Sequence, residues 1–170
     1  FTVKEVALIL GETNFNKLKS KLNYHVKKGH ILNLRRGIYA KDKNYNKYEL
    51  ACKIYTPAYI SLETVLQQEG VIFQNYQSIF VISYLSRDIA CDNQKISYKK
   101  IKNFILMDKT GIEIYDNYAV ASKERAFLDA LYLYKDYYFD NLKVLNWDKL
   151  FELVKIYQQK NFLKRLDSYY

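Results

Sequence analysis

The segment FNKLKSKLNYHVKKGHILNLRRGIYA spans residues 15–40 and changes its pattern at Gly29. Before this glycine, apolar residues recur at helical spacing on one narrow stripe, namely Phe15, Leu18, Leu22 and Val26. After it, short apolar runs flank an arginine pair and a glycine, which is typical of a β-hairpin with the arginines at its tip. The segment therefore predicts a helix that ends near Gly29, followed by a hairpin.

The other side of this predicted helix is basic. No acidic residue occurs between Thr13 and Lys41, whereas a helix face that meets only water usually mixes both charge signs to gain i,i+4 pairs. Lysine and asparagine side chains can bond phosphates and base edges, so the face is expected to read the major groove of DNA. The candidate reading residues are Asn14, Asn16, Lys17, Ser20, Lys21, Tyr24, Lys27 and Lys28.

A shorter helix is predicted before this segment. Thr2 and Glu5 have the spacing of a capping box, and Gly11 is a suitable C-terminal stop. The apolar stripe of this helix consists of Val3, Val6, Ala7 and Leu10. Two helices joined by a short turn and followed by a hairpin have the order of a winged helix-turn-helix.

In a winged helix the tip of the hairpin would carry Arg35, Arg36 and Gly37. An arginine pair there can enter the minor groove or hold phosphates with its planar guanidinium groups. The alternative is a surface hairpin whose arginines meet only water.

Nearly all of the net charge lies in the first quarter of the chain. The 170 residues carry a formal charge of +9. Residues 1–48 hold nine lysines and two arginines against three acidic residues, a charge of +8, and residues 49–170 carry only +1. A general lysine bias does not produce this division, so the first segment is expected to meet a polyanion. A basic surface that serves only solubility is the alternative.

Residues 49–170 are expected to form a mixed α/β domain behind a winged helix-turn-helix domain at residues 1–48, within an α+β fold. The predicted elements include a helix capped by Ser61, a strand within residues 78–86, and a hairpin over residues 103–115. The segment NYAVAS, residues 117–122, is expected to add a further strand before a helix that begins after Ser122. A last amphipathic helix is expected to be capped by Asn146, with Trp147, Leu150, Phe151 and Val154 on one side.

No catalytic motif is found in the sequence. The five glycines all fall at ends of predicted elements, and no Asp or Glu is followed two positions later by Lys. Neither the two cysteines nor His25 and His30 belong to a recognisable zinc motif. We therefore expect no enzyme activity, no cofactor and no metal. The absence of a long apolar segment and of paired cysteine motifs predicts a reduced, cytoplasmic protein.

Three charged residues stand out in the segment KERAFLDAL: Glu124, Arg125 and Asp129. The structural interpretation is that Glu124 favours the helix N-terminus and that Arg125 pairs with Asp129 at i,i+4. The functional interpretation is that the three residues form a partner-binding surface.

Three segments in this order resemble the AbiEi antitoxins of abortive-infection, viral-defence loci: GHILNLRRGIYA, PAYISLETVLQQEGVI and VASKERAFLDAL. The resemblance implies an N-terminal winged helix that represses its own operon by binding promoter DNA, with inverted repeats and a homodimer on DNA expected. It also implies an α/β domain, containing Glu124, Arg125 and Asp129, that neutralises a nucleotidyltransferase-like toxin without a stable complex. The family's winged helix normally begins with a further helix before Val3.

Two other classes of function remain open from the sequence. One is a nuclease-like or RNA-modifying component of a phage-defence system, in which the basic segment holds the substrate. The other is an interaction protein whose basic face binds an acidic protein. Metal-dependent cleavage of nucleic acid would indicate the first, and a lack of salt-sensitive binding to duplex DNA would favour the second.

Overall fold

The computed structural model describes residues 1–170, apart from the side chain of Lys160, and the chain divides into two compact units. The first unit comprises Phe1–Lys47 together with Cys91–Asn93. The second comprises Tyr48–Ala90 and Gln94–Tyr170. Helices and strands alternate irregularly along the chain, so the fold is mixed α+β.

The first unit begins with two helices and a hairpin: α1 (Val3–Leu10), α2 (Phe15–Lys27), β1 (Leu32–Arg35) and β2 (Ile38–Ala40). The hairpin is antiparallel, and its register shifts between Asn33 and Arg35. Thr2 forms an isolated antiparallel bridge with Ile38, which adds a short third segment beside the hairpin.

The local signals at the ends of α1 and α2 are confirmed. The backbone N–H of Glu5 donates to Thr2 Oγ1 at 3.2 Å, and the N–H of Thr2 donates to a carboxylate oxygen of Glu5 at 2.6 Å. Gly11 ends α1 with a left-handed backbone, φ 59°. Asn14 caps α2 by accepting from the N–H of Lys17 at 3.1 Å. These caps satisfy amides that have no partner within a helix.

The apolar core of the first unit is small and is formed by Val3, Ala7, Leu18, Leu22 and Tyr39. The predicted stripes were wrong at their ends, because Leu10 is 62% exposed and Phe15 is 47% exposed. Both residues lie at the turn that joins the two helices, beyond the reach of this core. Leu8 and Ile9 are also exposed there.

A six-stranded mixed sheet runs through the second unit in the order β5-β6-β4-β3-β8-β7. β4 is parallel to β6 and β3 is parallel to β8, whereas β3–β4 and β7–β8 are antiparallel. The strand bounds are β3 (Ala58–Ile60), β4 (Ile79–Ser83), β5 (Arg87–Cys91), β6 (Gln94–Lys100), β7 (Ile112–Ile114) and β8 (Ala119–Ala121).

Helices pack against this sheet and enclose a large apolar core that contains Tyr98 and Phe127. The α-helices are α3 (Lys47–Ile54), α4 (Glu63–Gln68), α5 (Asn103–Met107), α6 (Lys123–Leu133), α7 (Trp147–Leu153) and α8 (Lys160–Asp167). Short 3-10 segments cover Leu142–Val144 and Val154–Tyr157. The predicted cap of α7 is confirmed, since Asn146 accepts from the N–H of Lys149. α6 begins after Ser122 as predicted, and the Ser122 hydroxyl accepts from the N–H of Arg125.

Two predictions for the second unit were wrong. Residues 103–107 form α5 rather than the first strand of a hairpin, and Ser61 does not cap α4. The N-cap position of α4 is Leu62, with φ 55° and no capping side chain, because the Ser61 hydroxyl bonds Asp129 instead. The strands β3, β5 and β6 were not predicted from the sequence.

Candidate nucleic-acid interface

The basic face of α2 is exposed and lies opposite the residues that hold the helix to its core. Leu18 and Leu22 are 1% and 7% exposed. At about 100° per residue, Asn16, Ser20 and Lys27 lie on the opposite side of the helix, and all three are exposed. Burial of the leucine stripe therefore directs the polar side of α2 towards solvent.

Some of the residues proposed to read DNA have bonds within their own helix. Asn14 Oδ1 is occupied by the N-terminal cap of α2. The Ser20 hydroxyl donates to the carbonyl of Asn16 at 3.0 Å. Lys17 Nζ lies 3.8 Å from a carboxylate oxygen of Glu12, and the Lys17 side chain is 63% exposed. Asn14 and Ser20 thus support the helix, and the exposed Lys17 is only loosely paired.

Other side chains on this face are presented without such bonds. Asn16, Lys21 and Lys27 are exposed, and no side-chain partner is found for them among the residues that the structure describes. Tyr24 is 55% exposed, and Lys28 Nζ lies 5.9 Å from the centre of its ring. Asn23 is exposed as well, although it was not among the predicted reading residues. This set offers amide, ammonium and phenol groups to a ligand.

The two arginines at the hairpin tip have different surroundings. Arg36 lies in the turn and is exposed, whereas Arg35 ends β1, is half-buried and interacts with other groups of the chain. Burial raises the pKa of the Cys91 thiol, and the positive charge of Arg35 opposes that rise. Gly37 has φ 81°, a left-handed conformation that L side chains rarely adopt. Arg36 is therefore the more accessible cation at the tip.

The predicted ion pair between Arg125 and Asp129 is confirmed, and it is completely buried. Arg125 Nε lies 3.5 Å from Asp129 Oδ1, and both side chains are 0% exposed. The guanidinium also donates to the carbonyls of Ile105 at 2.7 Å and Thr110 at 2.9 Å. Arg125 thereby joins α6 to the end of α5 and to the turn before β7.

Three hydroxyl groups surround the carboxylate of Asp129. Tyr59 and Ser61 donate to Oδ2 at 3.1 Å and 2.8 Å, and Tyr157 donates to Oδ1 at 2.6 Å. Burial raises the pKa values of Tyr59 and Tyr157 well above the usual value, so both phenols remain protonated donors. The Arg125 guanidinium also lies 5.7 Å and 5.6 Å from the centres of these two rings.

Glu124 is buried too, with 2% exposure. A carboxylate oxygen of Glu124 accepts from the N–H of Asn146 at 3.1 Å, at the N-terminus of α7. Because Glu124, Arg125 and Asp129 all point into the protein, this conformation presents no partner-binding surface made of their side chains. Their contacts hold α5, α6, α7 and β3 together.

A cleft of about 330 Å³ lies near the N-terminus of α6 and is lined by residues of both charge signs, including Glu113 and Lys149. Within the described part of the chain, no group of three or more His, Cys, Asp or Glu side chains is arranged to hold a metal ion.

No helix of the described residues is long and apolar enough to cross a membrane.

Comparison of the sequence with known protein families and with curated proteins finds no match.

Proposed function

We propose that the chain is a DNA-binding transcriptional regulator and that residues 1–48 act as a winged helix-turn-helix. The observation that carries this proposal is the exposed, acid-free face of α2, which lies opposite the buried Leu18 and Leu22. A helix with lysine and asparagine on its outer side is suited to the major groove, where these side chains reach bases and phosphates.

The β1–β2 hairpin supports the same proposal, because it lies where a winged helix has its wing. Pairing of Phe1 and Thr2 with Tyr39 and Ile38 gives the hairpin a third strand segment and fixes it beside α1. The exposed Arg36 would then contact the DNA backbone or a narrow minor groove next to the site read by α2.

We further propose that the protein is an autorepressing antitoxin of the AbiEi type, in a type IV toxin–antitoxin system. This step rests on the resemblance of three segments of the sequence to that family. In this proposal the second unit neutralises a nucleotidyltransferase-like toxin without a stable complex, and a homodimer binds inverted repeats in the promoter. The protein itself catalyses no reaction.

The proposal is tested by fluorescence anisotropy on the full chain with a duplex from its own promoter. Replacing Lys21 and Lys27 by Gln removes two charges from the basic face of α2. In the control variant, Gln replaces Lys149 and Lys155, which are exposed in the second unit. This variant loses the same two charges outside the basic face of α2. We expect promoter affinity to fall only in the first variant. Equal affinity of the two variants would contradict the proposed interface.

A further inference from the structure

Two histidines meet at the C-terminal end of α2. The Nδ1 atoms of His25 and His30 are 3.2 Å apart, and the ring centres are 5.5 Å apart. Both side chains are exposed. Four residues separate the two histidines, which is within the range of the histidine pair in zinc fingers, although no cysteine pair accompanies them.

The backbone brings the two rings together. Gly29 has φ 73°, and its N–H donates to the carbonyl of Val26 at 3.0 Å. The N–H of His30 donates to the carbonyl of His25, also at 3.0 Å. These two bonds form a Schellman motif, in which the positions of His25 and His30 usually carry an apolar contact. Here the same geometry places two imidazoles side by side.

The contact between the two Nδ1 atoms requires a proton or a metal ion between them. A neutral Nδ1 without a proton carries a lone pair, so two such atoms facing each other would repel. The Nδ1–H group of one neutral ring can donate to the Nδ1 lone pair of the other, and a metal ion bound to both lone pairs can replace that hydrogen bond. Two nitrogens bound to one Zn²⁺ at 2.0–2.1 Å lie about 3.3 Å apart at the tetrahedral angle, close to the separation in this structure. Both rings are exposed and can rotate so that their lone pairs converge on the ion.

The local field has both favourable and unfavourable parts. Carbonyl groups at the C-terminus of a helix favour a cation. Lys27 and Lys28 lie at the same helix end and oppose one. A site with two protein ligands in this setting should therefore bind weakly and exchange its ion readily.

We propose that His25 and His30 together bind one Zn²⁺ ion through their Nδ1 atoms, with the remaining coordination positions filled by water. No metal was expected from the sequence, and the site arises because the end of α2 brings the two ligands together. Zinc suits imidazole nitrogen, and the open positions allow further ligands to enter.

The test titrates the full chain with Zn²⁺ alone, by calorimetry and by NMR of the histidine side chains. We expect one ion per chain and shifts confined to His25 and His30. His25→Gln or His30→Gln should each weaken binding on the order of 100-fold, because a chelate becomes a single imidazole. Lys28→Gln is the matched control, and it should strengthen binding because both histidines remain and a positive charge is lost.

Unchanged Zn²⁺ affinity in both histidine variants, or shifts at other side chains, would overturn the site. The pair would then be a hydrogen-bonded contact and nothing more. Because both rings are exposed, the variants should keep the melting temperature of the wild type. That measurement separates loss of a ligand from loss of the fold.

A consequence for DNA binding rests on the proposed function. The ion would add positive charge to the basic face of α2, and an open coordination position could accept a phosphate oxygen. We expect Zn²⁺ to raise promoter affinity in the wild type and not in His30→Gln. Failure of all DNA binding would contradict the proposed function while the zinc titration still decides the site. DNA binding that ignores Zn²⁺ would contradict only this coupling.

Discussion

Arg125 and Asp129 form an ion pair one turn apart on α6, with 3.5 Å between Nε and Oδ1 and no exposure of either side chain. The pair joins several elements of the second unit, because Arg125 bonds two backbone carbonyls and Asp129 accepts three hydroxyl donors. Removing one partner would leave the other buried charge without its counter-ion.

Arg125→Met should lower the free energy of unfolding by about 3–5 kcal/mol. The control is Lys53→Met, which removes a partly exposed i,i+4 pair between Lys53 and Glu49 at 2.8 Å. That change should cost only about 0.3–0.5 kcal/mol. Urea unfolding of both variants measures the difference, and similar losses would contradict a structural role for the buried pair.

The same variant separates a structural role of Arg125 from the proposed antitoxin action. In cells that express the cognate toxin, we expect Arg125→Met to lose protection together with a lowered melting temperature. Lost protection at an unchanged melting temperature would instead assign Arg125 to the antitoxin activity itself.

Gly111 occupies a position where a side chain has no room. Its φ is +73°, and a Cβ there would lie 3.2 Å from Arg125 Cβ and from Leu153 methyl carbons. Gly111→Ala should lose about 1–2 kcal/mol from the left-handed backbone and a further 1–3 kcal/mol or so from overpacking. Gly70→Ala, at φ +69° with open space around it, should show only the first loss. Equal losses in thermal or urea unfolding would show that the packing at Gly111 is not tight.

The buried carboxyl group of Glu63 should make the stability of the protein depend on pH. The side chain is 5% exposed, and burial raises its pKa, against the opposing effect of the hydrogen bond from Tyr134. The raised pKa means that protonated Glu63 contributes to the free energy of unfolding. This contribution is complete below the ordinary carboxyl pKa of about 4.3 and is lost as pH rises through the raised pKa of Glu63. Glu63→Gln should therefore gain stability relative to wild type as pH rises above the ordinary carboxyl pKa of about 4.3. A difference that stays constant with pH would contradict this account.

Helix starts could be predicted from the sequence where a nearby side chain caps the helix. Thr2 and Asn146 cap helices as predicted, and Asn14 and Ser122 cap the helices that were predicted to start beside them. Each of these side chains bonds an amide only three residues away. Ser61 shows the limit of this reasoning. Its hydroxyl bonds a carboxylate 68 residues away, and a sequence motif does not reveal that competition.

Short apolar segments were the second kind of element that the sequence did not predict correctly. The residues NFILM fit a strand or a helix equally well by periodicity, and the structure has α5 there. For the candidate interface, the exposed lysines of α2 followed from the apolar stripe opposite them. The different surroundings of Arg35 and Arg36 did not, because they depend on groups distant in sequence.

The interface predicts that different residues control specificity and general affinity. Asn16→Ala and Lys27→Ala should reduce discrimination between operator and random duplex, since a good base contact is worth about 1–3 kcal/mol. Arg36→Ala should weaken binding to both duplexes alike. Competition binding with the two duplexes measures the ratio. An unchanged ratio in the α2 variants would mean that α2 does not read the sequence.

The most direct test of DNA binding is the salt dependence of affinity for the protein's own promoter. If the basic face and Arg36 neutralise about five phosphates, log K should fall with log salt at a slope of about −4 to −5. The measurement uses fluorescence anisotropy of a labelled promoter duplex at several salt concentrations. Binding with that slope supports the account, and a flat response or no binding at low salt would contradict it.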